Sequence, residues 1–328
     1  MDSAKPDPKP NLYIPLFIQN FFKMSFKGRD LISIRDLSKS DILSILSAAK
    51  ALEKDPQPNL MKNKVMASLF FEPSTRTRLS FSSAMERMGG KVLGFESAEV
   101  TSITKSETLW DTIKMVNHYA DVIVQRHSVE GAARLSAEAA DVPVINAGDG
   151  ANQHPSQTLL DIYTIQKEKG KMDNLTIGFV GDLKYGRTVH SLCIALSHFR
   201  TRICFISPEA LQMPKSYLEE LDSKKIPYTV EEDIYASLKD LDILYMTRIQ
   251  KERFPDPVEY NKLKGCYRID KELLTHAKKD VRILHPLPRV DEISTDVDGT
   301  PNAAYFRQAG NGIPVRQAIL ALLTGVIQ

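Results

Sequence analysis

Two spacings of apolar residues alternate along this chain, and together they predict parallel strands covered by helices. Ile42, Ile45, Leu46 and Ala49 fall at i, i+3, i+4 and i+7 behind a polar run, the face of an amphipathic helix. Residues 65–71 are a short, continuous apolar stretch that Glu72-Pro73 stops, which predicts a buried strand. A helix starting at Ser74 should follow, ending near Met88 before Gly89-Gly90. A strand over 91–95, a polar loop over 97–106 and a helix over 107–120 come next, the last with Leu109, Ile113, Val116 and Ala120 on one side. Residues 121–125 read as a buried strand ending at Arg126-His127, and residues 142–147 as another before the turn 148–155. A long helix over 156–169 stops at Gly170. The second half repeats the theme: strands at 176–180, 203–206, 228–230, 243–246 and 281–284, a turn at 181–186, a helix at 187–197 and a final helix at 313–326. The fold class expected is α/β, with two domains, each a mostly parallel sheet flanked by helices.

A length of 328 residues suits two domains, and 42% apolar with 26% charged residues describes a soluble globular chain. The formal charge of +2 gives no support to a nucleic-acid partner but leaves anionic small molecules open. Cys193, Cys204 and Cys266 are odd in number and lack Cys-x-x-Cys spacing, so reduced thiols in the cytoplasm and no metal site are expected. No cofactor is expected either. Residues 1–25 read as a flexible extension. Its apolar run over 12–22 is too short for a bilayer, and its balanced charge and Pro15 argue against a cleaved signal. Met24 is an alternative start; docking of this tail on a neighbouring subunit is the other reading.

Chemistry gathers where strands end. Ser74, Thr75, Arg76 and Thr77 put hydroxyls and a guanidinium beside the unpaired N–H groups of a helix start, a clamp for phosphate. The plain alternative is an N-cap serine followed by solvated arginines. Arg126, His154, Arg187, Arg248 and the loop from His285 lie at other strand ends, where ligands collect in open α/β sheets. His154 has helix capping as its rival role. His127 and His285 read as core histidines, and Arg187, Arg248 and Arg289 have ion pairing as their alternative, with Arg289 left undecided. Gly181-Asp-Leu-Lys-Tyr-Gly186-Arg187-Thr188 is one residue away from a P-loop, but arginine stands where the compact lysine ammonium is needed. A P-loop-like ATPase is the alternative of a different class, tested by magnesium-dependent ATP hydrolysis.

Taken in order, residues 74–78, Arg126-His127, His154-Pro155-Ser156-Gln157, residues 181–187, Thr247-Arg248-Ile249-Gln250 and His285-Pro286-Leu287-Pro288-Arg289 resemble the catalytic chain of the aspartate carbamoyltransferase family. The similarity runs from about Phe26 to the carboxyl end. Pro286 after His285 implies aspartate rather than ornithine, whose enzymes carry cysteine there; ornithine or another amino acid is the alternative second substrate. The resemblance implies transfer of the carbamoyl group of carbamoyl phosphate to L-aspartate, giving N-carbamoyl-L-aspartate and phosphate, an early step of de novo pyrimidine biosynthesis.

The resemblance also implies roles. Ser74, Thr75, Arg76 and Thr77 hold the phosphate, Arg126 bridges phosphate and carbonyl oxygen, and Thr77, Arg126 and His154 face the developing oxyanion. Gln157 and the backbone carbonyls of Pro286 and Leu287 hold the carbamoyl nitrogen. Arg187 takes the α-carboxylate of aspartate; Arg248 and Gln250 take the side-chain carboxylate. No general base stands out, so departing phosphate is the expected proton acceptor. Ser102 and Lys105 are implied to enter the neighbouring subunit's site in a homotrimer with shared active sites. Thr101 is the alternative to Ser102, because the loop is one residue shorter than in some members. The domain limits implied are 26–155, completed by 312–328, for carbamoyl phosphate and 156–311 for aspartate, closing on the ligands. Regulatory chains or pathway enzymes stay open as further partners.

Overall fold

The computed structural model describes residues 26–100, 102–249 and 257–327. The first half runs α1 (Lys39–Lys54), β1 (Val65–Phe70), α2 (Thr75–Arg87), β2 (Lys91–Phe95), α3 (Leu109–Val116), β3 (Val122–His127), α4 (Ala132–Ala139), β4 (Val144–Asp149) and α5 (Pro155–Lys169). The second runs β5 (Leu175–Val180), α6 (Arg187–Leu196), β6 (Thr201–Ile206), α7 (Lys215–Ser223), β7 (Tyr228–Glu231), α8 (Ile234–Leu238), β8 (Ile243–Met246), α9 (Pro257–Leu263), α10 (Lys271–Leu274), β9 (Arg282–Leu284) and α11 (Tyr305–Leu323).

The sheets have the orders β2-β1-β3-β4 and β7-β6-β5-β8-β9, and every pairing is parallel. In both, the chain winds to one side and then returns to the other, so crevices open at the carboxyl ends between β1 and β3 and between β5 and β8. The clamp follows β1, Arg126 is in β3, Arg187 follows β5 and Arg248 follows β8. The fold therefore brings the arginines to the two switch points.

Alternate strand residues face opposite layers. Met66, Phe70, Val122 and Val124 join α1, α5 and α11 in an apolar cluster that continues through Ile177, Phe179 and Tyr245 of the second sheet. Ala67, Leu69 and Ile123 instead meet α3 and α4, while Val180, Cys204, Leu244 and Ile283 form the far side of the second sheet. Cys193 and Cys204 are buried thiols, and Cys266 is exposed.

Several expected boundaries move. The last helix begins at Tyr305, not at 313, and carries Pro314 inside it. Gly310, Gly312 and Pro314 look like a break in the sequence. Packing overrides them, since Val315, Ala318, Ile319 and Leu322 are buried against the α1 and α5 layer. Gly312 has its own reason: a Cβ there would lie 2.1 Å from the Arg316 guanidinium. α3 is shorter than expected because the Thr108 side chain caps it, accepting from the Asp111 N–H, and its last residues turn away at Asn117. α4, made largely of alanines, gave little apolar contrast to read. The expected extension over 1–25, Thr101 and Gln250 lie outside the described residues.

Candidate active site

A cleft of about 660 Å³ lies at the carboxyl ends of both sheets. Ser74, Thr75, Arg76, Thr77, Arg126, His154, Gln157, Arg187, Arg248, Pro286 and Leu287 all line it, so residues named from six separate stretches of sequence meet in one place.

The clamp begins one residue later than the pattern suggested. Ser74 is the N-cap of α2 and Thr75 its first residue, but the Ser74 side chain makes no capping bond. Ser74 and the first turn of α2, whose opening N–H groups lack helical partners, line the same cleft. Thr77 is buried, whereas Arg76 is exposed, with partial desolvation and then the neighbouring Arg248 lowering its pKa. Arg78 leaves the cleft to pair with Glu96.

Arg126 pairs with Glu72 at 2.9 Å and donates to the Ala147 carbonyl at 3.3 Å. Arg187, the first residue of α6, donates to the Gly150 carbonyl. Both guanidiniums press on Gly148, where a Cβ would meet Arg126 at 2.9 Å and Arg187 at 3.2 Å, and where φ is +116°. Only glycine allows that approach. The turn before Arg187 is tight: Asp182 accepts from the Tyr185 N–H at 2.9 Å, and a Cβ on Gly181 would meet the Thr247 carbonyl at 2.3 Å.

His154 is the N-cap residue of α5 without a side-chain capping bond, so capping is not its task. Burial first, then Arg187, Arg126 and Arg316, hold its pKa well below the ordinary imidazole value. It is a neutral imidazole among cations.

His285 also lines the cleft, but both of its nitrogens are engaged. Nδ1 accepts from the Leu287 N–H at 2.8 Å and Nε2 meets Glu292 at 2.7 Å. Leu287 takes a left-handed φ of +56°, a conformation its surroundings must hold. His285 is thus buried with both nitrogens held by the protein, whereas His127 is half-buried rather than a core residue, its Nδ1 accepting from the Val129 N–H. Arg289 resolves as an ion-pair partner of Asp298, also bonded to the Tyr305 hydroxyl. Lys105 is exposed at the end of the turn Ser102–Lys105, outside this cleft.

Sequence reasoning missed Glu72, Asp161, Tyr245, Gln308 and Arg316. Arg316 is a buried guanidinium at the cleft wall, 4.9 Å above the Phe81 ring, with a pKa brought down to about 10 by burial. No local pattern marks it, because it comes from the stretch of α11 behind Pro314. Arg76, Arg126, Arg187, Arg248 and Arg316 thus converge on the cleft, against Glu72 as the only acidic residue among its described lining residues. Such a site takes a ligand with several negative charges. Among the described residues no group of His, Cys, Asp and Glu could hold a metal ion.

Comparison with known proteins shows the family. The carbamoyl-P binding domain of aspartate/ornithine carbamoyltransferase matches residues 29–167, and its Asp/Orn binding domain matches residues 173–323. The aspartate carbamoyltransferase catalytic subunit of Thermococcus onnurineus is 56% identical over 309 residues, covering 93% of this chain and 100% of that one. That of Chromobacterium violaceum is 52% identical over 295 residues, covering 90% and 97%. Among solved structures, the catalytic subunit of M. jannaschii aspartate transcarbamoylase superposes with a TM-score of 0.85 at 52% identity, over 90% of this chain and 98% of that one. The Trypanosoma cruzi enzyme in complex with carbamoyl phosphate and aspartate gives 0.86 at 40% identity, over 91% and 97%. With both domain matches in sequence and relatives this close over nearly its whole length, the chain belongs to the aspartate/ornithine carbamoyltransferase family, among its aspartate carbamoyltransferase catalytic chains.

Proposed function

We propose that this cleft transfers the carbamoyl group of carbamoyl phosphate to the α-amine of L-aspartate, using fixed cations and no cofactor. Both substrates are anions, and the observation that carries the reading is the convergence of five arginines with a single carboxylate among the described residues of one cleft. The neutral amine attacks the carbonyl carbon, and a C–N bond forms as the carbonyl oxygen takes up negative charge. The C–O bond to phosphate then breaks, and the departing phosphate accepts the proton lost by the amine.

Ser74, Thr75, Arg76 and Thr77 bind the phosphate at the start of α2. Thr77, Arg126 and neutral His154 stabilise the oxyanion, the preorganised electrostatic contribution that is usually largest in such reactions. Gln157 with the carbonyls of Pro286 and Leu287 accepts from the carbamoyl nitrogen. Arg187 takes the α-carboxylate, and Arg248 with Gln250 takes the β-carboxylate. Glu72 occupies Arg126 between turnovers, and incoming phosphate competes with it.

The assembly proposed is a homotrimer in which Ser102 and Lys105 reach a neighbour's cleft. Supporting it, β2 is a largely exposed edge strand, and Leu79 and Leu93 stand exposed along a groove beside it. Pairing the exposed edge and covering these side chains would remove an aggregation hazard. A role in pyrimidine synthesis accords with the reaction, and the cytoplasm is the proposed place of work; no helix among the described residues is long and apolar enough to cross a membrane.

The test is product formation from carbamoyl phosphate with L-aspartate and, in parallel, with L-ornithine. Carbamoyl-aspartate formed from aspartate alone is the expected result. Turnover of ornithine overturns the second-substrate assignment, and silence with both overturns the reaction.

A further inference from the structure

Asp161 lies on α5 one turn beyond Gln157 and is fully buried. An ionised carboxylate oxygen can only accept, so every partner within reach must donate. Oδ1 receives the Gln157 amide at 2.9 Å and the Gln308 amide at 2.6 Å, and Oδ2 receives the Tyr245 hydroxyl at 2.8 Å. Those contacts decide the direction of both amides. Each turns its NH2 group to Asp161, so each oxygen points elsewhere. The Gln308 oxygen accepts from the His285 backbone N–H at 2.8 Å. The Gln157 oxygen has no hydrogen-bond partner among the described residues, and Gln157 lines the cleft. Burial pushes the Asp161 carboxyl up to about 7, yet protonation leaves both amide directions unchanged. A proton on Oδ2 can be donated to the Tyr245 oxygen, while Oδ1 still accepts from both glutamines.

Gln308, 1% exposed near the start of α11, thus joins two walls that share no strand or helix. On one side it holds the carboxyl that orients Gln157. On the other it holds the backbone at His285, whose ring in turn fixes Leu287. We infer that Gln308, acting with Asp161, is a positioning residue that aims the Gln157 oxygen and the carbonyls of Pro286 and Leu287 at one point, making the cleft selective for an acyl phosphate that carries N–H groups. The inference rests on the reading of the cleft as a carbamoyl-phosphate site. A group of fixed acceptors favours an NH2 and is left unpaired by a methyl in its place. With the Gln308 contact gone, the Gln157 amide is less constrained and can present its own NH2 to the substrate's.

Acetyl phosphate, which carries a methyl group where carbamoyl phosphate carries NH2, provides the probe. Gln308→Met is compared with the unaltered protein in kcat/KM for carbamoyl phosphate, in the competitive inhibition constant of acetyl phosphate, and in that of inorganic phosphate. The expected result is a fall of about tenfold or more in kcat/KM for carbamoyl phosphate, with both inhibition constants changed by less than about twofold. Gln157→Ala added to Gln308→Met should then cost little more, because both changes act on one group. Parallel losses for all three compounds overturn the inference in favour of a purely structural role, and so does retained selectivity. If Gln308→Met does not fold, Gln308→Glu serves, keeping the acceptor for His285 while replacing the donor to Asp161, with the same loss of selectivity expected. Inability of the unaltered protein to use carbamoyl phosphate overturns the underlying reading instead, an outcome distinct from the others.

Discussion

The phosphate clamp and the acceptor pocket for the carbamoyl nitrogen are neighbours in the cleft but are built in opposite ways. The clamp is four consecutive residues at one helix start, lining the cleft and partly open to solvent. The acceptor pocket draws on α5, β8, the loop after β9 and the first turn of α11, and its supporting groups are buried and bonded to one another. A charge that meets its ligand in partial solvent needs little support from the fold. An amide that must point one way in the interior needs a partner for each of its atoms.

Loss of a clamp residue should therefore harm chemistry without harming the fold. Arg76→Ala should lower kcat about a hundredfold to a thousandfold, while denaturant titration finds stability within about 0.5 kcal/mol of the unaltered protein. A large loss of stability would break the contrast. The next effect concerns pH and belongs to the pocket. Asp161 has its folded-state pKa raised from 3.8 to about 7 by burial, so between those values the folded state holds the extra proton. Stability relative to Asp161→Asn should then fall as pH rises from 4 to 8, by on the order of 3 kcal/mol. His154, with a lowered folded pKa, gives the opposite slope below 6.5, but it is common to both proteins and cancels in the difference.

Tyr245→Phe sharpens the comparison on the same side. It removes one of the three donors to Asp161 and should lower the unfolding free energy by about 1–3 kcal/mol, while the inhibition constant of inorganic phosphate stays unchanged. The smallest effect is expected from Arg78→Ala. Arg78 belongs to the clamp run in sequence but pairs with Glu96 outside the cleft, both partly exposed. Phosphate inhibition should not move, and unfolding should shift by no more than about 0.5 kcal/mol.

The same contrast explains what could be read before the structure was known. A strand stopped by Glu72-Pro73 and a helix opening on Ser-Thr-Arg-Thr are local events, so the clamp was legible. Arg187 and Arg248 were legible because each follows a buried strand at a position the α/β fold assigns to ligands. Asp161 and Tyr245 were hidden in apolar surroundings as ordinary residues of a helix and a strand, and only the tertiary contact to Gln308 gives them meaning. Gln308 itself was lost with the helix boundary. Gly310, Gly312 and Pro314 each argue locally for a break, whereas the packing of α11 on α1 and α5 keeps the helix running through them. The undetected guanidinium of Arg316 follows from the same error, since a residue behind an apparent break was read only as part of a returning apolar helix.

The position of α11 in the chain also bears on how the protein is made. The clamp and its parallel sheet precede Gln308 and Arg316 by most of the described chain, so they are synthesised first. A nascent or prematurely terminated chain lacking α11 would leave the apolar faces of α1 and α5 uncovered, while its arginine cluster has no finished pocket for the reactive group. Its bare helical surface would mark such a chain for chaperones and proteases. The helix Tyr305–Leu323 thus couples closure of the core over α1 and α5 to assembly of the reactive pocket.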